Sequence, residues 1–368
     1  LLTDDLPASQ SYPNPNLGDR QKPLTRILPC WQFNSLKNVL RILSTLRKEK
    51  PDVILFNVQF ATFGSNKVAA FLGLLTPVLA QRMGFPTMIL LHNLMDTIDL
   101  SSLNLMKSLE PIFRFFGVVC TRLLLTTQLV AVTIPKYVEL LEVKYRAKNV
   151  VLIPHGSFEE VPALHQEQEN EVYTIMTFGK FGTYKRVELL IEAFKILQEE
   201  RKDPMKLIIA GTDNPNKQGY LASVQQCYKD VPNIHFTGYV AEEDVACLFK
   251  QATLVVFPYT STTGSSGVLH QAGQYGKAVV LPNLGDLTEV MKEEGYTGKF
   301  FEPESAMSLA WAIGSLLDSP EERYDIGQQN YAAASGLPID DIIDWYLFHF
   351  QHLLESKSKR EKRSLLWK

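Results

Sequence analysis

The chain of 368 residues has only four cysteines, Cys30, Cys120, Cys227 and Cys247, and no two of them form a C-x-x-C pair. This scatter excludes a disulfide framework and a cysteine zinc site, and it is typical of proteins from a reducing compartment. We therefore expect a cytoplasmic protein.

The sequence also lacks a long apolar run and a strong charge of either sign. No segment reaches the ~18 uninterrupted apolar residues that would indicate a membrane span. The formal net charge of −3 gives no global electrostatic support for binding nucleic acid, so we expect no nucleic-acid partner. The 45% of hydrophobic residues is typical of a globular protein, and 368 residues suit two cores better than one.

One segment, residues 111–132, is more apolar than a soluble protein needs, and Arg114 and Arg122 are its only charged residues. A core helix followed by a buried strand is the simplest interpretation. Contact with the inner face of a membrane is the alternative, because cationic residues spaced through an aromatic, apolar helix suit a lipid surface. The basic tail, residues 357–368, is a solvated face or a second contact with anionic lipid or a partner.

Short β-branched runs alternate with helical patterns along the chain. This alternation predicts an α/β protein of parallel sheets with helices on both faces. A polar segment without apolar periodicity, residues 165–171, is the candidate linker. We therefore predict two Rossmann-like domains facing each other across a cleft, residues 1–164 and 172–339, with a C-terminal helix, 340–368, that packs back on the first.

Ligands of open parallel sheets bind at the carboxyl ends of the strands, and two lysines stand at one such end. Lys180 follows an apolar strand and Lys185 begins the next helix. Lysines at a helix N-terminus are electrostatically misplaced, because the dipole there favours anions. A phosphate between the two ammonium groups would resolve this, so the pair indicates a diphosphate site. Two solvated surface lysines are the alternative.

A second turn of small residues lies between two later strands and precedes a helix; it contains Gly264, Ser265, Ser266 and Gly267. Unpaired N–H groups at the start of a helix bind anions, although a plain tight turn uses the same residue types. Together with the two lysines, this turn would hold a diphosphate without a metal ion. The chain contains no D-x-D pair, which fits cationic side chains in place of a divalent ion.

The order of these motifs resembles that of the family 4 glycosyltransferases, which are retaining enzymes of the GT-B fold. Gly179, Lys180 and Lys185 are similar to the family's Gly-Arg turn and its following lysine, and GSSGVLHQAGQYGKAVV is similar to its glycine-rich loop and helix. The resemblance extends over residues 149–289. It implies that a sugar moves from a nucleoside diphosphate sugar to a glycan, lipid-linked or small-molecule acceptor, with retention and with no metal or other cofactor.

The resemblance also implies roles for single residues. Lys180 and Lys185 would neutralise the leaving diphosphate, and the loop amides up to Val268 would hold its oxygens. His92, at the end of the strand PTMILLHN, would approach the transferred sugar, although a histidine at a strand end is often structural. His270 faces either the interior of its helix or the donor.

Two positions depart from the family pattern. Thr263 and Gln271 stand where the family has two glutamates, one near the donor sugar and one on the ribose hydroxyls. Gln271 still offers a carbonyl oxygen, without the strength of a charge-assisted hydrogen bond. This departure leaves open a catalytically silent GT-B partner or sugar-nucleotide-binding protein, and the fold leaves open a sugar-nucleotide epimerase.

The first residues, LLTDDLP, look like the tail of a strand. In the resembling family a strand, a glycine-rich turn and a helix come before this point. We therefore expect about 25 to 35 further residues upstream, the length of a strand–turn–helix unit. The first sheet of the present chain should then be incomplete, rearranged, or open beside the strand at residues 52–57.

Overall fold

The computed structural model describes residues 1–5, 25–60, 62–64, 66–94, 110–157, 172–214, 217–261 and 266–365. The chain divides into two compact units, one of Leu1–Ile153 with Trp345–Lys368, and one of Pro154–Asp344. The predicted linker at 165–171 lies outside the described residues, and so do Thr263, Gly264 and Ser265.

The first unit is an α/β unit whose elements are, in chain order, β1 (Leu2–Asp4), β2 (Leu28–Trp31), α1 (Asn38–Glu49), β3 (Ile54–Val58), α2 (Lys67–Leu74), α3 (Thr76–Arg82), β4 (Thr87–Leu91), α4 (Glu110–Leu124), β5 (Leu129–Val132), α5 (Pro135–Tyr145) and β6 (Val150–Leu152). Strands β3, β4, β5 and β6 form a parallel sheet in that order, and β1 pairs with β2 in a separate parallel sheet. Strand β4 is buried at every residue, as expected of a parallel strand covered on both faces.

Among the described strands, β3 has a partner on one side only, which is β4. The expectation of further residues upstream stays a prediction.

The apolar segment that follows β3 forms two helices, α2 and α3. The break falls at Leu75, and Pro77 lies in the first turn of α3. Proline suits this position because its missing N–H group would have no helical partner there. The side chain of Asn66 caps α2 by accepting hydrogen bonds from the backbone of Val68 and Ala69.

The second unit continues with β7 (Tyr173–Phe181), α6 (Val187–Glu200), β8 (Met205–Asp213), α7 (Tyr220–Cys227), β9 (Ile234–Gly238), α8 (Glu242–Gln251), β10 (Leu254–Val256), α9 (Gly267–Gln274), β11 (Ala278–Pro282), α10 (Gly285–Glu293), β12 (Lys299–Phe301), α11 (Ala306–Asp318), α12 (Pro320–Ser335) and α13 (Ile339–Leu365). From Trp345 onward, α13 belongs to the first unit.

The six strands of this unit form one parallel sheet in the order β9-β8-β7-β10-β11-β12. Apolar side chains of α6 and α11 pack on one face of the sheet, and those of α8, α9 and α10 pack on the other. After β7 the chain adds β8 and then β9 on one side of that strand. Strand β10 pairs with the other side of β7 and is followed outward by β11 and β12. The point between β7 and β10 is therefore the topological switch point, where ligands of such sheets bind.

Candidate active site

The two sequence-predicted lysines lie beside the switch point but in different surroundings. Lys180 is the second-last residue of β7, its backbone is in register with Thr212 of β8, and its side chain is exposed. Lys185 follows four residues after the strand, and only 8% of it is exposed. The structure thus brings one ammonium group into a largely enclosed position and leaves the other in solvent.

Aromatic rings surround the ammonium group of Lys185. Its Nζ lies 4.9 Å from the centre of the Tyr259 ring and 5.9 Å from that of Tyr184. Within the described part of the chain, no carboxylate forms an ion pair with Lys185. Burial lowers the pKa of this ammonium, and the neighbouring Tyr184 partly opposes the shift. A cation in such a position is suited to an anionic ligand.

The turn that carries Lys185 is held by the backbone rather than by its side chains. Three hydrogen bonds tie it to itself and to the segment after β10: Gly182 N to Lys185 O at 3.1 Å, Arg186 N to Pro258 O at 2.9 Å, and Thr260 N to Tyr184 O at 2.8 Å. These bonds keep the turn beside the end of β10. Lys185 therefore occupies the switch point, although it is distant in sequence from that strand.

Glycine is required where Lys185 approaches β7. Gly179 has a φ of +139°, and a Cβ atom placed there would lie 2.7 Å from the Lys185 Nζ. Its neighbour on β8, Gly211, has a φ of +131°, and a Cβ atom there would lie 1.9 Å from the Gly179 carbonyl oxygen. Side chains at these positions would displace the strand end, the lysine, or both.

The second half of the predicted anion site is the amino end of α9. Ser266 is the N-cap residue, and its side chain makes no capping hydrogen bond within this helix. Its Oγ instead lies 3.4 Å from the hydroxyl oxygen of Tyr259. The first-turn N–H groups, including those of Gly267 and Val268, have no partner inside the helix, as in any α-helix. Gln271 is half-buried and lies one turn further along.

A polar network fixes the start of the helix that follows Lys185. The Tyr220 hydroxyl, from α7, donates to the Glu188 carboxylate and accepts from the backbone N–H of Val187 at 3.0 Å. Arg186 makes an ion pair with Glu188 at 3.2 Å. Sequence analysis did not single out Tyr184, Tyr220 or Tyr259. The adjacency of Tyr184 and Lys185 was the signal that could have drawn attention to an aromatic site.

His270 lies in the interior of the second unit. It is fully buried, and its Nδ1 is 2.9 Å from the Tyr296 hydroxyl oxygen. Burial, with a smaller contribution from His155, lowers its pKa to about 3. Of the two alternatives left open by the sequence, the side chain is found on the interior side of α9. A role of His270 toward the donor sugar has no direct support and stays a prediction.

His92 belongs to the first unit and directly follows β4. Its Nε2 lies 2.5 Å from the Asn57 Oδ1, and its backbone N–H donates to the Val58 carbonyl at 3.3 Å. The ring is thus held at the carboxyl end of the parallel sheet, where a catalytic side chain of this fold would stand. Its approach to a transferred sugar stays a prediction.

Together these observations describe a two-unit α/β protein whose second parallel sheet has an enclosed ammonium group at its switch point, linked through Tyr259 to the amino end of a helix. The chain belongs to the glycosyl transferases group 1 family, whose model matches residues 140–333, just over half of the chain. Among curated proteins, it is 25% identical over 248 residues to O-antigen chain mannosyltransferase C of Escherichia coli, covering 64% of each chain. It is 23% identical over 151 residues to D-rhamnosyltransferase WbpZ of Pseudomonas aeruginosa, covering 41% of this chain and 37% of that protein. The chain therefore matches less than two thirds of either relative.

Solved structures confirm the GT-B fold class. Sucrose-phosphate synthase from Thermosynechococcus elongatus aligns with a TM-score of 0.69 at 16% identity, covering 92% of this chain and 87% of that one. HepE of Anabaena, solved in complex with UDP-glucose, aligns with a TM-score of 0.61 at 17% identity, covering 90% and 86%. At these identities the likeness shows the fold alone.

No group of three or more His, Cys, Asp or Glu residues in the described part of the chain is placed to hold a metal ion. None of the helices in the described ranges is both long and apolar enough to cross a membrane.

Proposed function

We propose that the protein transfers a glycosyl group from a nucleoside diphosphate sugar to a glycan acceptor. The observation that carries this proposal is the enclosed ammonium of Lys185 at the switch point, close to the amino end of α9. A cation and a helix N-terminus that converge on one point suit a diphosphate. The family relationship and the names of both curated relatives, an O-antigen chain mannosyltransferase and a D-rhamnosyltransferase, support the same activity.

In the proposed reaction, the bond between the anomeric carbon and the diphosphate oxygen breaks, and a bond to the acceptor hydroxyl oxygen forms. Negative charge develops on the leaving diphosphate, where the Lys185 ammonium and the α9 N–H groups stabilise it. Lys180 supplies a second positive charge from the end of β7. The acceptor proton passes to an oxygen of the leaving diphosphate, so no dedicated base is needed.

Two finer features are part of the proposal. Retention of configuration follows if the acceptor enters on the face that the diphosphate leaves. Independence from metal ions and other cofactors follows if lysine charge and helix N–H groups balance the diphosphate charge that a divalent ion balances elsewhere. His92 is proposed to contact the transferred sugar, and Gln271 the ribose.

We also propose that the protein works in the cytoplasm at the inner face of a membrane. Phe115 and Phe116 on α4 are 66% and 57% exposed, and Arg114 and Arg122 on the same helix are exposed as well. Aromatic side chains flanked by cations suit the surface of an anionic bilayer, where a lipid-linked acceptor would be found.

The test of the activity is the release of nucleoside diphosphate from a panel of nucleotide sugars. Wild type should hydrolyse its donor slowly without acceptor, and Lys185→Met should lose this activity while keeping the fold. The anomeric configuration of a product, read by NMR, decides retention, and addition of EDTA decides metal dependence. Binding of a nucleotide sugar without any release would favour a silent GT-B partner.

A further inference from the structure

Tyr259 connects the two halves of the candidate diphosphate site. Its ring lies beneath the Lys185 ammonium at 4.9 Å, and its hydroxyl oxygen is 3.4 Å from the Oγ of Ser266, the N-cap of α9. We propose that Tyr259 is a positioning residue that orients the Lys185 ammonium and the N-terminus of α9 toward one diphosphate. This proposal rests on the proposed function.

The ring of Tyr259 is itself held rigidly. Tyr259 is 3% exposed, and its ring meets those of Tyr184 and Phe257 edge to face, with centroids 5.3 Å and 5.4 Å apart. Its backbone forms a β-bridge with that of Lys185. Because ring and backbone are both fixed relative to the lysine, the ammonium group has a defined resting place before ligand binds.

The electrostatics favour the same role. The face of an aromatic ring attracts a cation, most strongly where water is excluded. Among titratable groups, Tyr184 acts on the pKa of Lys185, and the Tyr259 ring contacts the ammonium; burial raises the pKa of both phenols. Arg186, next along the chain, is paired with Glu188. The ring therefore offsets part of the desolvation of the ammonium without neutralising its charge, which stays available to an anion.

The hydroxyl group of Tyr259 has a role separate from that of its ring, at the N-terminus of α9. Since the Ser266 side chain does not cap its own helix, its Oγ is oriented by Tyr259 instead. This contact positions the N-cap residue of α9 relative to Lys185. Loss of the hydroxyl should loosen the helix start, and loss of the ring should loosen the lysine.

The test measures binding of inorganic pyrophosphate, UDP, GDP and ADP by calorimetry between pH 7 and pH 10. Tyr259→Leu should weaken pyrophosphate binding about fivefold at pH 7, because Lys185 must then be immobilised on binding. The pH at which binding is lost on the alkaline side should fall by about one unit, because a missing cation–π contact lowers the lysine pKa. Tyr259→Phe keeps the ring and should keep the wild-type pH limit.

Phe257→Leu is the matched control, since it removes a similar volume from the same aromatic cluster without touching Lys185. It should leave the pH limit unchanged, and thermal melting of each variant reports its folding. If Tyr259→Leu folds but shows the wild-type pH limit, or if Phe257→Leu shifts the limit equally, the role of the ring is wrong. Should Tyr259→Leu fail to fold, Tyr259→Phe takes its place in the test. Because this variant keeps the ring, a shift of its pH limit would likewise show that the role assigned to the ring is wrong.

The hydroxyl contact is tested by a double-mutant cycle of Tyr259→Phe and Ser266→Ala. We expect each change to weaken pyrophosphate binding by about two- to threefold, and the double variant to be no weaker than either one. Additive losses would show that the two hydroxyls act independently.

Lys185→Met separates the role of Tyr259 from the proposed function. If Lys185→Met leaves diphosphate binding intact, or if wild type binds none of the four probes, the proposed function itself is wrong.

Discussion

The Nε2 of His270 and the Oε2 of Glu294 lie 3.4 Å apart in the interior of the second unit, yet they do not form a charged pair. Burial lowers the pKa of His270 to about 3 and raises that of Glu294 to about 8. Neither Glu294 carboxyl oxygen has a hydrogen-bond partner among the described residues. Both groups are therefore neutral near pH 6 in the folded protein, and Glu294 costs stability as pH rises above 4.5 while His270 costs stability as pH falls below 6.5.

The pH dependence of unfolding should reveal the buried carboxyl group. Glu294 has a raised pKa in the fold, so its stabilising effect is present below pH 4.5 and is lost as pH rises toward about 8. Between pH 6.5 and 8 the loss is at most about 1.4 kcal/mol per pH unit. Glu294→Gln should flatten this decline, as measured by thermal or denaturant unfolding at each pH. An unchanged slope would mean that Glu294 ionises normally.

The stability contribution of His270 has the opposite pH dependence. Its pKa is lowered in the fold, so stability is lost as pH falls from 6.5 toward 3.

Removal of the enclosed ammonium should weaken diphosphate binding selectively. We expect Lys185→Met to cost about 1.5–3 kcal/mol in binding a nucleoside diphosphate, the scale of a charge-assisted hydrogen bond. Affinity for the free nucleoside should change little. Lys202→Met, at an exposed position after α6, is the control. Equal losses for both ligands would place Lys185 away from the phosphates.

Restoring the family's carboxylate should not harm donor binding. Gln271→Glu is expected to leave affinity for the nucleotide sugar unchanged or to increase it, because a carboxylate accepts hydrogen bonds from ribose hydroxyls more strongly. Titration calorimetry measures the effect, and Gln251→Glu at the exposed end of α8 controls for added charge. A collapse of binding would show that the Gln271 amide donates a hydrogen bond, and the ribose assignment would be wrong.

The exposed aromatic pair on α4, Phe115 and Phe116, should contribute to membrane binding and not to the stability of the fold. Phe115→Ser with Phe116→Ser should reduce co-sedimentation with anionic vesicles, and salt should release the wild-type protein. Because both rings are exposed, the thermal melting temperature should change little. Val143→Ser, on an exposed apolar position of α5, is the control. Sedimentation equal to that with neutral vesicles would argue for a soluble acceptor.

The alternation of strands and helices was visible in the sequence because buried parallel strands are continuous apolar runs. The α/β class and the GT-B fold were therefore predicted correctly. Helix α1 was not predicted, although Ile42, Leu43 and Leu46 form its buried face at helical spacing.

The candidate site was predictable only in part. The spacing of Lys180 and Lys185 placed both near a strand end, but it could not show that one ammonium is enclosed and the other exposed. That difference depends on Tyr259, which lies in the segment after β10, more than seventy residues later in the chain. The placement of His270 likewise depends on Tyr296 and Glu294, which no local pattern connects to α9.

The nine-residue pairing of β7 with β8 has a consequence for motion on slow timescales. The ladder continues in register through Lys180 and Phe181, past the point where the neighbouring β10 has ended. Backbone amides at this end should therefore exchange with solvent deuterium as slowly as those of the sheet centre. The turn between Gly182 and Lys185 lies outside the ladder, so it should open at a lower free energy. An incoming diphosphate would then meet one wall protected by a continuous ladder, formed by β7, and one held by three backbone hydrogen bonds, formed by the turn.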